Sequence, residues 1–225
     1  MNNTYKRNYL VVLVKLINLI DMKDGYTKMH SENVSKYAVM LGEYLELPQK
    51  DIEILRMAGL LHDIGKIGIP DYILNKTNDL TDEEFKIIKK HPINGELLFP
   101  DNEFKEIKQI IRSHHERIDG KGYPDGLKGD NIPYLAKIIS VADTFDAMTT
   151  QRVYNKRKML IEALEELYRV SRKKYYNNEL TQQLDTELVN SFIKMIKQNK
   201  GLLNEFSEKD SKILEERYER QIKKL

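Results

Sequence analysis

Apolar residues recur at the spacing of an amphipathic helix along most of this 225-residue chain. In the segment 34–45 they follow the i, i+3, i+4 rule. The same pattern returns in later segments, which begin near Pro48, Thr81, Ile107, Pro133, Met159 and Asp185. No long stretch alternates apolar and polar residues as a half-buried strand does, and only 67–69 suggests a short extended piece. The sequence therefore predicts an all-α fold.

Local signals predict where some of these helices begin and end. Thr81 to Glu84 forms a capping box, and Pro92 is expected to end the helix that follows it. Gly65 is expected to end the helix that begins near Pro48. The segment 119–129 reads DGKGYPDGLKG, with four glycines in eleven positions, which predicts a structured loop or a flexible connector.

Composition excludes several classes of protein. The absence of Cys rules out disulfides, thiolate zinc sites, iron–sulfur clusters and cysteine nucleophiles. With 37 basic and 35 acidic residues, the net charge of +2 gives no support for binding to a nucleic-acid polymer. The apolar stretch 9–20 is shorter than the ~20 residues of a membrane span and contains Lys15, so we expect a buried first helix. No cleavage site follows it, and we expect a cytoplasmic protein without a membrane partner.

Polar residues interrupt the apolar faces at particular places. All five histidines and two aspartates lie on these faces or at the inner ends of the helices, which are His30, His62, Asp63, His91, His114, His115 and Asp143. A single inward histidine is usually a hydrogen-bonded core residue. Seven such groups in one small core would each cost several kcal/mol if unpaired, and divalent ions would satisfy them together. The adjacent pairs 62–63 and 114–115 favour two ions that share a carboxylate, and nitrogen and oxygen donors suit Fe, Mn, Zn or Ni.

With these residues in place, the sequence resembles the HD-GYP family of cyclic dinucleotide phosphodiesterases, a branch of the HD metal-dependent phosphohydrolases. The resemblance covers about residues 8–198. The matching stretches, in family order, are YTKMHSENV, LLHDIGKIGIPD, KKHPINGELL, HHERIDGKGYPDGLKGDNIP and AKIISVADTFDAMTTQRVY. It implies an HD-superfamily helical bundle with additional C-terminal helices. The catalytic domain would occupy 1–198, with its first helix from about residue 7, and a charged helical tail would occupy 199–225.

The resemblance also implies roles for individual residues. The seven histidines and aspartates would hold two divalent ions per chain, iron or manganese ahead of zinc or nickel, with Asp63 shared by both and a hydroxide between them. Lys66 would contact the scissile phosphate. Gly122, Tyr123 and Pro124 form the signature loop, expected to shape the wall near the second metal. Arg152 and Tyr123 are expected substrate contacts. Arg117 is either another substrate contact or a structural partner of Asp119 or Asp125.

Three positions depart from the family pattern. Tyr26 stands where some members have a Glu that helps to bind a third metal, so two metals are predicted. The usual Arg-Pro-Tyr-(Arg/Lys) reads Arg152-Val153-Tyr154-Asn155, which removes a possible phosphate contact. The segment 172–183 resembles an insertion, and a solvated loop, a partner surface and an anion-binding patch are the alternatives.

The expected function is hydrolysis of cyclic di-GMP to linear pGpG, with further conversion to GMP left open. Another cyclic dinucleotide such as cyclic GMP-AMP is the alternative substrate. The alternative function is a receptor that binds the nucleotide with little turnover. A homodimer or a protein partner would use the signature loop or the tail.

Overall fold

The computed structural model describes residues 8–17, 29–100, 104–150, 158–176 and 179–205. Regular secondary structure in this part of the chain is helical except for one short hairpin, so the predicted all-α class is confirmed with that addition. In chain order the α-helices are α1 (8–17), α2 (His30–Tyr44), α3 (Gln49–Leu61), α4 (Asp71–Leu74), α5 (Asp82–Ile88), α6 (His91–Leu97), α7 (Lys105–Ser113), α8 (Tyr134–Thr149), α9 (Leu160–Ser171), α10 (Thr186–Gln198) and α11 (Lys200–Glu205). Two 3₁₀ helices cover Ile64–Gly68 and Gly129–Asn131.

The larger apolar core lies between α2, α3, α8, α9 and α10. At its centre the rings of Tyr37, Phe145 and Phe192 meet edge to face, with centroids 5.0–6.3 Å apart. Aromatic pairs in this geometry are favourable beyond the apolar area that they bury. The predicted stripe of α2 is confirmed from Val34 to Leu41, which are fully buried in this core, whereas Tyr44 at the end of the helix is 37% exposed.

The first helix packs into a second, smaller core. Leu13 and Ile17 of α1 lie against buried residues that include Phe104 and Ile111. The expected burial of the first helix is therefore correct for one face, while Val12 is 55% exposed. Among the described residues, no helix combines the length and the apolar content needed to cross a bilayer.

The chain between α3 and α4 differs from its prediction. Helix α3 ends at Leu61, before Gly65, and the 3₁₀ helix Ile64–Gly68 replaces the expected extended piece at 67–69. A side chain at Gly65 would overlap the carbonyl oxygen of His91 and the backbone of α6. This close approach brings the end of α3 beside the start of α6.

Helix α5 begins with the predicted capping box. The Glu84 amide donates to Thr81 Oγ1 at 3.3 Å, and the Thr81 amide donates to Glu84 Oε2 at 2.7 Å. The prediction that Pro92 ends this helix is wrong, because Pro92 lies in the first turn of the next helix, α6. The lack of an N–H group is harmless there, because amides of the first turn have no partner within the helix.

The segment 172–183 contains the hairpin. Strands β1 (Lys174–Tyr176) and β2 (Glu179–Thr181) pair antiparallel, with Tyr175 opposite Leu180. Strands of three residues are too short to show an alternating pattern in the sequence.

The segment 119–128 is an irregular loop, as predicted, and the second 3₁₀ helix follows it. Helix α11 is the described beginning of the predicted tail, whose remainder, 206–225, lies outside the described residues, and the domain division at 198 stays a prediction.

Candidate metal centre and active site

The seven predicted residues come together from the ends and inner faces of five segments. His30 begins α2, His91 begins α6, and His62 with Asp63 directly follows α3. The cluster is completed by His114 and His115, which follow α7, and by Asp143, which lies within α8. Possible ligand atoms form two groups, each within 4.8 Å: Asp63, His91, His114 and His115 in one, and His30, His62 and Asp143 in the other.

Asp63 connects the two groups through its two carboxylate oxygens. Oδ2 lies 3.6 Å from Nε2 of His30 and 3.3 Å from Nε2 of His62. Oδ1 lies 3.3 Å from Nε2 of His91 and 4.0 Å from Nε2 of His114. One carboxylate therefore faces both groups, as a residue shared by two ions would have to do.

Backbone carbonyls fix the orientation of three imidazoles. In each case Nδ1 lies 2.7–2.8 Å from the carbonyl oxygen three residues earlier in the chain. These pairs are His62 with Gly59, His91 with Ile88, and His114 with Ile111. When Nδ1 donates to a carbonyl, the neutral ring directs the Nε2 lone pair into the cluster, which is the usual arrangement of metal-binding histidines.

His30 is oriented by a residue that the sequence interpretation did not identify. Its Nδ1 donates to Oδ2 of Asp146 at 2.7 Å, and Asp146 is 1% exposed. Asn33 and Thr150 donate to the other oxygen of Asp146, both at 2.8 Å. The only available signal was the position of Asp146 three residues after Asp143, which places both carboxylates on adjacent turns of α8.

The histidines of the cluster differ in the direction in which their pKa is shifted. Burial, together with neighbouring positive groups, lowers the pKa of His91, His114 and His115, so these rings are neutral. Burial also lowers the pKa of His30, but the Asp146 hydrogen bond and the nearby aspartates outweigh it and raise that pKa to about 9.

Both aspartates of the cluster are ionised. Burial raises the pKa of Asp63, but Lys66 and the adjacent histidines hold it well below its ordinary value. The pKa of Asp143 is also lowered, because the histidines around it outweigh its burial. Burial lowers the pKa of His62, but Asp63 and Asp143 outweigh it and raise that pKa, as they do for His30. The two carboxylates and the neutral rings of His91, His114 and His115 are already in the protonation states that divalent cations need, whereas an ion at His30 and His62 would have to displace protons.

Two further observations fit metal ions at these residues. His62 Nε2 is buried and makes no hydrogen bond. Nε2 of His91 and Nε2 of His114 lie 3.3 Å apart although both Nδ1 atoms are directed at carbonyls. Two lone pairs that converge in this way repel each other unless a cation lies between them. The donor set is nitrogen and oxygen alone, which suits a divalent transition metal.

Lys66 lies at the edge of this cluster. It belongs to the 3₁₀ helix Ile64–Gly68, and its ammonium is 2.8 Å from Oδ2 of Asp63. The side chain is 13% exposed, so it is largely shielded from water. The structure thus brings the predicted phosphate contact beside the carboxylate that joins the two groups.

The signature loop covers the group that contains His115. The Tyr123 ring lies 4.8 Å from the His115 ring at an angle of 32°, and the Tyr123 amide donates to the His115 carbonyl. A side chain at Gly122 would overlap the backbone of 115–117, so this position must be glycine. The buried Glu116 accepts a hydrogen bond from the Asp125 amide at 2.7 Å and fastens the far side of the loop.

The structure decides between the two structural partners considered for Arg117. Its guanidinium binds both oxygens of Asp119, at 3.0 and 2.6 Å. Asp125 pairs instead with Arg112, at 2.6 and 2.7 Å. The substrate contact predicted for Arg117 stays a prediction. The predictions for Arg152 and for positions 26 and 153–155 lie outside the described residues.

A pocket of about 280 Å³ opens beside the cluster. Its wall combines His114, His115 and Asp143 with residues of α5, the signature loop and the segment after β2. The segment 172–183 is fastened to the start of the 119–128 loop, because the Asp119 amide donates to the Gln182 carbonyl at 2.9 Å. Lys121 also forms a 2.8 Å ion pair with Glu179. The segment 172–183 therefore borders the pocket, which its sequence did not indicate.

Comparison with known proteins supports the resemblance. The model of the HD domain family matches residues 15–180. The cyclic di-GMP phosphodiesterase response regulator RpfG of Xanthomonas campestris pv. campestris is 43% identical over 159 residues, which are 69% of this chain and 42% of that protein. The 3'3'-cGAMP-specific phosphodiesterase 3 of Vibrio cholerae is 37% identical over 147 residues, which are 65% of this chain and 32% of that protein.

A solved structure shows the same fold. The crystal structure of a cyclic GMP-AMP-specific phosphodiesterase of V. cholerae superposes with a TM-score of 0.63 and 20% identity, covering 89% of this chain and 51% of that chain. The present chain spans less than half the length of the two curated relatives named above. The family match, the relatives and the motifs around residues 62–71 and 114–133 agree, and the chain belongs to the HD domain family, in its HD-GYP branch.

Proposed function

We propose that this domain hydrolyses a phosphodiester bond of a cyclic dinucleotide, with cyclic di-GMP as the first candidate and linear pGpG as the product. The observation that carries the proposal is the Asp63 carboxylate, whose two oxygens face two separate groups of possible ligands. Two such groups about one carboxylate are the arrangement that two-metal phosphoester hydrolysis requires.

The proposed binding of metal follows the two groups. His30, His62 and Asp143 would hold one ion, His91, His114 and His115 would hold the other, and Asp63 would contribute an oxygen to each. When bound, two divalent ions supply positive charge for the phosphoryl oxygens and lower the pKa of a water molecule that attacks phosphorus. Iron or manganese is the proposed pair, with zinc or nickel as the alternatives.

The protein itself contributes orientation and charge. The Gly59, Ile88 and Ile111 carbonyls and Asp146 hold four imidazole rings in place before any ligand arrives. Such preorganisation avoids reorganisation during the reaction. The Lys66 ammonium donates to Asp63 and is close enough to the cluster to donate to a phosphoryl oxygen of the substrate as well.

The substrate assignment rests on the relatives and on the pocket. One relative is named for cyclic di-GMP and another for 3'3'-cGAMP, so both nucleotides are candidates for this chain. The pocket beside His115 gives one half of such a molecule a place next to the cluster. A cytoplasmic location, and a homodimer or protein partner that uses the signature loop or the tail, complete the proposal.

Product analysis with cyclic di-GMP tests the proposal. Anaerobically purified protein should contain about two metal ions per chain and should release pGpG. Asp63→Asn should lose both properties, because it removes the charge that both groups share, whereas Asp79→Asn, the same change at an exposed position, should keep them. Metal-loaded protein that binds cyclic di-GMP without forming product would support a receptor. Full activity in Asp63→Asn would overturn the proposed centre.

A further inference from the structure

Lys89 occupies an unusual position in the wall of the pocket. It directly follows α5, and its ammonium lies 4.5 Å from the ring centroid of Phe85 and 5.5 Å from that of Tyr123. A cation over an aromatic face is attracted by the ring. The two rings therefore hold the ammonium in place while its hydrogen-bond donors stay available.

Its surroundings distinguish Lys89 from the other cations of the pocket. Arg117 is paired with Asp119, and Lys121 is paired with Glu179. Within the described ranges Lys89 makes no ion pair, although it is half-buried. A partly buried cation without an anionic partner gains more from a ligand that offers acceptors than a cation that is already paired.

The shape of the pocket limits what the ligand can be. The volume of about 280 Å³ is close to the lower end of typical ligand pockets, roughly 300–1,000 Å³, so one nucleoside half of a cyclic dinucleotide fits better than the whole. Phe85 is 43% exposed and presents a ring on which a planar base can stack. His114, His115 and Asp143 of the cluster line the same pocket.

We infer that Lys89, Phe85 and Tyr123 form a guanine subsite, in which the ammonium donates to O6 and N7 of the base and an aromatic ring stacks on it. The inference rests on the proposed function and adds a basis for its substrate preference. Lysine offers donors only. Guanine presents two acceptors on the edge concerned, whereas adenine presents an amino donor beside N7. The subsite therefore favours guanine over adenine.

A phosphate is the competing ligand for an ammonium. It would gain nothing from two aromatic faces, and it would not distinguish cyclic di-GMP from cyclic di-AMP, which have identical phosphates. Selectivity between these two nucleotides thus separates a base contact from a phosphate contact.

Binding is measured with the full chain in excess chelator, where metal-dependent turnover cannot occur. The wild type should bind cyclic di-GMP roughly 10-fold more tightly than cyclic di-AMP. Lys89→Met should bring this ratio close to one, and Lys89→Arg should keep it. Lys86→Met is the matched control, because Lys86 lies on the same helix but is exposed and outside the pocket. Phe85→Ala should weaken both nucleotides.

The outcomes separate this inference from the proposed function. Equal binding of both nucleotides by the wild type, or an unchanged ratio in Lys89→Met, overturns the guanine subsite. Loss of both nucleotides together in Lys89→Met assigns the residue to phosphate and also overturns it. If the ratio behaves as expected but the metal-loaded wild type releases no pGpG, the subsite stands and the proposed function fails.

Discussion

Helix α8 contributes to two interiors of opposite character. Its residue Phe145 packs between Tyr37 and Phe192 in the larger apolar core. Its residues Asp143 and Asp146 face His30 in the polar cluster, at 3.4 and 2.7 Å. The apolar interior is buried and the polar cluster is buried except at His115 and Asp143, and both draw on α2 as well as α8.

The two interiors differ in what they need to be stable. The apolar core is favourable by burial alone, since each large side chain contributes about 1.5–3 kcal/mol when it leaves water. The polar cluster holds ionised carboxylates and converging Nε2 lone pairs, and such groups are costly to bury without a counterion. The first interior therefore stabilises the fold, and the second is held in a ligand-ready geometry at the expense of that stability.

The largest expected effect on stability belongs to the apolar core. Phe145→Ala should lower the free energy of unfolding by about 3–5 kcal/mol, because it removes a fully buried ring and leaves a cavity. Chemical denaturation would measure the loss. Phe85→Ala is the control, since Phe85 is 43% exposed and should change stability little. A similar loss of stability in both variants would mean that the difference in burial between Phe145 and Phe85 does not determine how much each ring stabilises the fold.

Binding of metal to the polar cluster should raise the free energy of unfolding, whereas Phe145→Ala lowers it. Adding manganese at about 100 times its dissociation constant should stabilise the protein by about 2.7 kcal/mol, because the ion binds the folded state alone. Thermal unfolding at rising manganese concentration would show the shift. Phe145→Ala should keep the increment, whereas Asp63→Asn should lose it. An equal shift in Asp63→Asn would place the ion elsewhere.

The sequence predicted the cluster because its members violate a pattern. Histidines such as His62 and His114 lie where the helical period requires apolar residues, so their inward direction can be deduced from spacing. Asp146 lies on the same part of α8 as Asp143, and nothing in the spacing separates an aspartate in the cluster from one that orients His30. That distinction depends on the angle at which α2 crosses α8.

The parts of the fold that were missed are short or purely tertiary. The strands of the 172–183 segment have three residues each, which is less than two periods of alternation. The 3₁₀ helix Ile64–Gly68 has an Ile-Gly pattern that also suits an extended chain. Lys89 meets Tyr123 only because α5 and the signature loop come together in the fold. No local pattern could have indicated that contact.

The contact between Asp146 and His30 is expected to matter for metal affinity more than for folding. Asp146→Asn should weaken metal binding by about 10–100-fold, because the carboxylate that orients the imidazole and raises its basicity becomes a neutral amide. Competition with a chelator of known affinity would measure the change. Asp130→Asn, at a fully exposed aspartate, is the control. Unchanged affinity in Asp146→Asn would mean that His30 does not hold metal through Nε2.

The smallest effect compares the N-terminal caps of two helices, α10 and α5. Asp185 accepts from the Glu187 and Leu188 amides at the start of α10, and Thr81 accepts from the Glu84 amide at the start of α5. Replacing a cap by Ala costs about 1 kcal/mol. Helix α10 buries Phe192 in the apolar core, whereas α5 has no buried residue.

The loss of a helix cap should therefore appear as lower global stability in one variant and as faster local hydrogen exchange in the other. In Asp185→Ala, α10 stays packed on the core and the cost should appear as lower global stability. In Thr81→Ala, α5 has little burial to hold it, so its amides should exchange hydrogen faster while global stability changes less. Because α5 carries Phe85 and precedes Lys89, this variant should also weaken cyclic di-GMP binding. Equal hydrogen exchange of α5 in both variants would show that contacts other than its cap hold this helix against the pocket.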